Sequence, residues 1–178
     1  MKVALHDILA VATEVAYPEK VEELNVTLGT GPNRDYEFPG AIAVKVSFYR
    51  SELDLFFDGS FGAVATATCA RCLERFALTL ANDFSVVLTP EAPLDGEIEL
   101  AASDLRESFY SGTEVDLTRL VYEQVLLALP TRPLCDEKCR GLCPQCGVNR
   151  NSGGCSCAVA AGDPRLAVLR RLKIDRSA

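Results

Sequence analysis

Six of the eight cysteines in this chain fall within residues 135–157, a run of 23. A segment this short and this poor in large apolar side chains cannot bury a core of its own, so something must crosslink it. Cys143-Pro144-Gln145-Cys146-Gly147 has the form of a metal-binding knuckle, in which a tight turn brings two thiolates to one ion and the glycine frees backbone amides to face sulfur. A second close pair, Cys155 and Cys157, follows an eight-residue loop with two Asn and three Gly. That loop is long enough to fold both pairs onto one tetrahedral ion. The expectation is one Zn²⁺ on Cys143, Cys146, Cys155 and Cys157. Cys139 and Cys135 stand as substitutes, or as half of a second site with Cys69 and Cys72.

Three other readings of these cysteines are weaker. A disulfide framework belongs to a secreted chain, and the first 20 residues lack a basic start and have their apolar run broken by Asp7 and Glu14. The spacing of Cys139, Cys143 and Cys146 matches that of a radical iron–sulfur enzyme, but that chemistry needs a long alternating barrel which 178 residues cannot build. Reduced, unliganded thiols fit poorly with such crowding. The cysteine usage and the N-terminus point to a cytoplasmic protein, and no 18-residue apolar run is present to span a membrane.

Charge divides the chain in two. The net value is −7, yet residues 131–178 hold nine Lys+Arg against four Asp+Glu, so the tail is +5 and residues 1–130 are −12. A basic tail on an acidic body suits a tail that meets phosphate while the body meets something else, or simply two solvated surfaces.

Residues 1–131 read as an antiparallel β domain with a covering helix, and residues 132–178 as a Cys-rich metal module with a C-terminal helix. Residues 3–15 fit either helix or strand, residues 21–28 read as a strand, and residues 29–40 as a loop. Ile42, Val44, Val46 and Phe48 then alternate against Ala43, Lys45, Ser47 and Tyr49, the pattern of a strand with one buried face. Leu53, Leu55 and Phe57 continue the alternation, and Asp58-Gly59 supplies a hairpin signal before the next run, which ends near Cys69. Cys69-x-x-Cys72 sits between strands, which favours a turn over a thioredoxin-like redox pair. Phe76, Leu78, Leu80, Phe84, Val86 and Leu88 carry the pattern on, with a possible break at Asn82-Asp83. A short strand is expected over 97–100. Asp116 caps a helix running to Leu129 with Leu117, Leu120, Val121 and Val125 on one side, and Pro130 stops it. Asp163-Pro164 opens a final helix with Leu166, Leu169 and Leu172 on one face and Arg165, Arg170, Arg171 and Lys173 on the other. The fold class is mainly β (α+β): an antiparallel curled sheet or partial barrel with a covering helix and a C-terminal cysteine-rich zinc module.

Catalytic groups are scarce. His6 is the only histidine, with no marked partner; no Gly-rich phosphate loop follows a strand, and closed cysteine quartets leave no position for a reactive water. Such a chain binds or assembles rather than catalyses, and no small-molecule substrate is expected.

Cys69-x-x-Cys72-Leu73-Glu74, Cys139-Arg140-Gly141-Leu142-Cys143-Pro144-Gln145-Cys146-Gly147 with Asn149 and Asn151, Cys155-x-Cys157, and Asp163-Pro164-Arg165 before an apolar helix together resemble the YceD-like family, named for large ribosomal RNA subunit accumulation. The resemblance runs in motif order over roughly residues 40–172. It implies a non-catalytic factor supporting large-subunit biogenesis and 23S rRNA accumulation, with large-subunit rRNA or a large-subunit ribosomal protein as partner. Arg140, Arg150, Arg170 and Arg171 are the candidate phosphate contacts. Two alternatives remain: a thiol redox-responsive protein using Cys69 and Cys72, and a zinc-stabilised protein interaction module without RNA contact.

Overall fold

The computed structural model describes residues 1–29, 31, 34–91 and 107–157. The predicted strand at 97–100 and the C-terminal helix with Arg170 and Arg171 lie outside the described residues.

In chain order the elements are β1 (Lys2–Ala4), a 3-10 turn (Leu5–Asp7), β2 (Thr13–Glu19), α1 (Glu22–Thr27), β3 (Tyr36–Glu37), β4 (Ile42–Ser51), β5 (Asp54–Thr68), β6 (Arg75–Pro90), β7 (Glu107–Tyr110), β8 (Glu114–Asp116) and α2 (Leu117–Ala128). The main sheet has the order β2-β4-β5-β6-β7, with β3 beside β5 where β4 has ended. Every pairing in it is antiparallel except β6 with β7. The expected curled sheet with a covering helix is therefore present, with one parallel edge. β1 and β8 form a separate two-stranded ribbon.

The period-two pattern places Ile42, Val44, Val46 and Phe48 of β4, Leu55, Phe57 and Phe61 of β5, and Leu80, Phe84 and Leu88 of β6 on one buried face. Leu117, Leu120, Val121 and Val125 of α2 close over the same core. The Asp116 side chain accepts from the Thr118 N–H at 3.0 Å, the cap read from the sequence.

Three local expectations change. Within the expected strand over 21–28, Glu22–Thr27 form a helix, because Val21, Leu24 and Leu28 recur at helical spacing and pack into the core. The Asn25 side chain holds this helix against Phe38, donating to its carbonyl and accepting from its N–H, each at 2.8 Å. The hairpin turn lies at Glu52 and Leu53 rather than at Asp58-Gly59: Ser51 pairs with Asp54, and Glu52 takes φ of 55°. Gly59 instead sits inside β5, opposite Val46 and Phe84. A Cβ there would meet Phe84 Cζ at 2.6 Å and the Lys45 carbonyl oxygen at 2.8 Å, so the glycine makes room for a ring laid across the strand. Finally, β6 runs unbroken through Asn82-Asp83, since β5 supplies partners along its length from Arg75 to Leu88.

Gly59→Ala should destabilise the protein by about 1–3 kcal/mol, because the methyl group meets backbone on one side and a buried ring on the other. Urea unfolding followed by circular dichroism checks this, with a lower midpoint and an unchanged slope expected.

Candidate metal centres

The eight cysteines come together as two groups of four. Cys69, Cys72, Cys135 and Cys139 form one quartet, and Cys143, Cys146, Cys155 and Cys157 the other, with the sulfur atoms of each within 4.8 Å of one another. Of the two places the sequence left open for Cys135 and Cys139, they take the second, facing the distant pair Cys69 and Cys72.

The first quartet is assembled by the turn joining β5 to β6. Its backbone folds tightly: the Cys69 N–H donates to the Glu74 carbonyl and the Leu73 N–H to the Cys69 carbonyl, both at 2.9 Å, with Leu73 at φ of 63°. This turn receives the cysteine-rich segment through several backbone bonds. The Ala70 N–H donates to the Pro133 carbonyl at 2.8 Å, and the Leu142 N–H to the Arg71 carbonyl at 3.0 Å. The Arg71 guanidinium donates to the carbonyls of Glu137 at 2.9 Å and Cys139 at 3.0 Å. Gly141, at φ of 69°, lies so close that a Cβ would stand 2.9 Å from the Arg71 carbonyl oxygen, which explains the glycine before Leu142-Cys143. Cys69 and Cys72 are buried, not partly exposed as a redox pair in an open turn requires.

The second quartet grows from the knuckle. The Gly147 N–H, at φ of 73°, donates to the Cys143 carbonyl at 2.9 Å, and the Cys143 N–H donates to the Val148 carbonyl at 2.8 Å. Leu142 and Asn149 bridge across the resulting loop. Asn151 joins the two centres: its Oδ1 accepts from the Arg140 N–H at 2.7 Å and its Nδ2 donates to Cys139 Sγ at 3.2 Å. The spacing of ligand types does not single out Arg71, Gly141 and Asn151: Arg71 lies between Cys69 and Cys72 and Gly141 between Cys139 and Cys143, while Gly141 and Asn151 belong to the motif that carries the family resemblance.

The geometry fits a single tetrahedral ion in each group. Thiolates 2.3 Å from a shared metal are about 3.8 Å apart. Cys69 and Cys139 sulfurs are separated by 3.8 Å, and Cys72 and Cys135 sulfurs by 3.6 Å. A disulfide would need about 2.05 Å, and all eight thiols are free. An iron–sulfur cluster distributes its thiolates over separate irons and holds them farther apart than these groups allow. The soft, all-sulfur donor set selects zinc or a single iron over hard cations.

Proton affinities diverge within each quartet. Burial would raise Cys69, but the N–H groups of Cys135, Cys72 and Arg71 outweigh it and bring the thiol down to about 6. The N–H groups of Cys146 and Gln145 bring Cys143 down to about 6 as well. In each quartet another thiol goes the opposite way. Desolvation, then hydrogen bonding to Cys72, pushes Cys135 up to about 12. Hydrogen bonding to Cys146, then desolvation, pushes Cys157 up to about 12. Four crowded thiols cannot all ionise unless a cation replaces their protons.

The fold and these sulfur clusters define a curled β-sheet protein whose cysteine-rich segment is held by two all-thiol quartets, one of which reaches into the sheet. The chain belongs to the YceD family, whose description, "Large ribosomal RNA subunit accumulation protein YceD", is matched over residues 57–173. It is 26% identical over 147 residues to the Arabidopsis thaliana large ribosomal RNA subunit accumulation protein YCED homolog 1, chloroplastic, covering 70% of this chain and 46% of that one. The Zea mays homolog 1 is 24% identical over 144 residues, 67% of this chain and 48% of its own. An uncharacterized protein of Mycobacterium bovis is 31% identical over 96 residues, 51% of this chain and 42% of its own. The chain thus spans less than half the length of these relatives. No solved structure matches it.

Elemental analysis of the purified protein should give two thiolate-bound metal ions per chain. Cys72→Ser and Cys146→Ser should each lose one. Cys146→Ser should leave the first quartet loaded while amide exchange rises over 143–157, because metal binding in such a segment is folding free energy, on the order of 10 kcal/mol.

Metal retention should also depend on pH. Above about 6 the thiols of Cys69 and Cys143 are ionised; below it protons compete for them. Loading the apoprotein at pH 7 should therefore release protons, at least those of Cys135 and Cys157, and progressive acidification below 6, where protons also compete for Cys69 and Cys143, should release metal to a chromogenic chelator.

Proposed function

We propose that this protein is a non-catalytic factor in biogenesis of the large ribosomal subunit, supporting accumulation of 23S rRNA in the cytoplasm. The observation that carries the reading is the family match over residues 57–173, joined by the names of the two plant relatives. Two features of the chain support binding over catalysis. His6, the one histidine, is exposed and its neighbour in charge is Asp7, so it is not placed as a base beside a nucleophile. The quartets present four sulfurs each, a closed donor set that leaves no coordination position for substrate.

On this reading Zn²⁺ occupies Cys69, Cys72, Cys135 and Cys139, and a second Zn²⁺ occupies Cys143, Cys146, Cys155 and Cys157. The metal contributes rigidity: it fixes a loop-rich segment that has few apolar contacts of its own. The partner is large-subunit rRNA or a large-subunit ribosomal protein. No helix among the described residues is long and apolar enough to cross a membrane. Burial of Cys69 and Cys72 argues against the redox alternative, since a sensor thiol must be reachable.

Depletion in the source cell should lower mature 23S rRNA relative to 16S and leave a lighter large-subunit precursor on a sucrose gradient. An unchanged rRNA ratio and unchanged ribosome profile on depletion would remove the proposal.

A further inference from the structure

Positive charge is distributed unevenly in the folded molecule, in a way that net charge conceals. On the sheet and its helices most described cations are ion-paired, Lys2 with Glu114, Lys45 with Glu14, Arg34 and Arg75 with Glu37, and Arg119 with Glu123, while Lys20 and Arg50 form no ion pair with any described residue. In the cysteine-rich segment Arg132, Lys138, Arg140 and Arg150 form no ion pair with any described residue. An unpaired guanidinium is a poor contributor to stability but a ready partner for an outside anion.

Two of these guanidinium groups share one cleft. Arg140 and Arg150 line a cavity of about 540 Å³ together with Cys143, Cys155 and Cys157 of the second quartet and with Ser152. The backbone fixes both arginines across the same narrow loop. The Arg150 N–H donates to the Gly141 carbonyl at 2.9 Å, and the Arg140 N–H donates to the Asn151 side chain at 2.7 Å. Their backbones are held while their side chains are exposed, so two forked donors project from a rigid base. One ion among the four sulfurs would occupy only the thiol end of so large a cleft.

We infer that this cleft is a binding site for the phosphate backbone of single-stranded RNA, with Arg140 and Arg150 each engaging a phosphate. The inference rests on the proposed role in rRNA accumulation and deepens it by naming a surface and a ligand. Guanidinium forks match phosphate oxygens in geometry, and the neighbouring Gln145, Ser152 and glycine backbone leave room for a sugar. A divalent ion with four thiolates leaves roughly two negative charges beside the arginines, so a loaded centre cannot attract RNA by bulk charge. Binding must come from the two directed contacts, and the salt dependence is correspondingly shallow. A deep basic groove would release many counterions; two phosphates give a slope of log K against log salt of about −1.4 for a single strand.

The test uses the full, zinc-loaded chain and a short fluorescein-labelled single-stranded RNA of mixed sequence, followed by anisotropy over a range of salt. Arg140→Gln and Arg150→Gln should each weaken binding about tenfold or more. The double variant should reduce the salt slope by about 1.4. Lys20→Gln removes one unpaired charge from the body and should change neither quantity. A double variant that binds with wild-type affinity and slope, or a Lys20→Gln effect as large as that of either arginine, overturns the site. Ultraviolet crosslinking of the wild-type protein, with peptide mapping, gives a readout independent of variant folding: crosslinks are expected within residues 138–154, and crosslinks confined to the sheet overturn the site. Wild-type protein that ignores RNA but binds a polyglutamate peptide through the arginines also overturns it, in favour of an acidic protein partner. Depletion then separates the two levels: loss of 23S rRNA without RNA binding leaves the biogenesis role standing and removes this site, whereas arginine-dependent binding without loss of rRNA does the reverse.

Discussion

Cys69 and Cys72 face Cys135 and Cys139 across more than sixty residues of chain, and the placement of the cysteine-rich segment depends on that meeting. Among the described residues the strand ladders lie within residues 2–116 and the main apolar core within residues 3–129. The described residues from 131 to 157 have no comparable core. Its described residues gain order by backbone bonds to the β5–β6 turn and by the convergence of sulfurs, with small apolar support from Phe76 and Leu134. A loop-rich chain of this kind exchanges a hydrophobic core for a few strong, directed contacts.

The β5–β6 turn is suited to this role because the two longest strands lead into it. β5 and β6 pair from Leu55 with Leu88 to Thr68 with Arg75, so their shared end is rigid. A turn at the tip of such a ladder presents its carbonyls and thiols in a fixed frame. Arg71 uses both backbone and side chain to grip residues 137–142, and Gly141 permits the close approach. The second quartet is then set by the first through Asn151, whose side chain touches the Arg140 backbone and the Cys139 sulfur. Order is thus passed outward from sheet to turn, from turn to first quartet, and from there to the loop that carries Arg140 and Arg150.

That arrangement explains how an acidic protein can present two arginines on a rigid frame. Most described cations on the body pair with local carboxylates, while Arg140 and Arg150 of the cysteine-rich segment are exposed on backbones held by hydrogen bonds. The frame matters more than the count of charges, because directed guanidinium contacts need fixed backbones whereas long-range attraction does not.

Alternation in β4, β5 and β6, the Asp116 cap and the apolar face of α2 were legible in the sequence, because each is a local period or a local hydrogen bond that one stretch of chain states for itself. The knuckle at Cys143 and Cys146 was legible for the same reason. What misled were signals whose meaning depends on neighbours. Asp58-Gly59 looks like a turn until β6 lies beside it and Phe84 needs the space, and Asn82-Asp83 looks like a break until β5 supplies its partners. Residues 21–28 look extended until Leu24 finds a core to enter. By itself the sequence determined that the chain builds a β body and a sulfur-rich tail. Only the tertiary structure decided which sulfurs meet, because two cysteine pairs separated by more than sixty residues are brought within reach by the folded sheet alone and by no spacing along the chain.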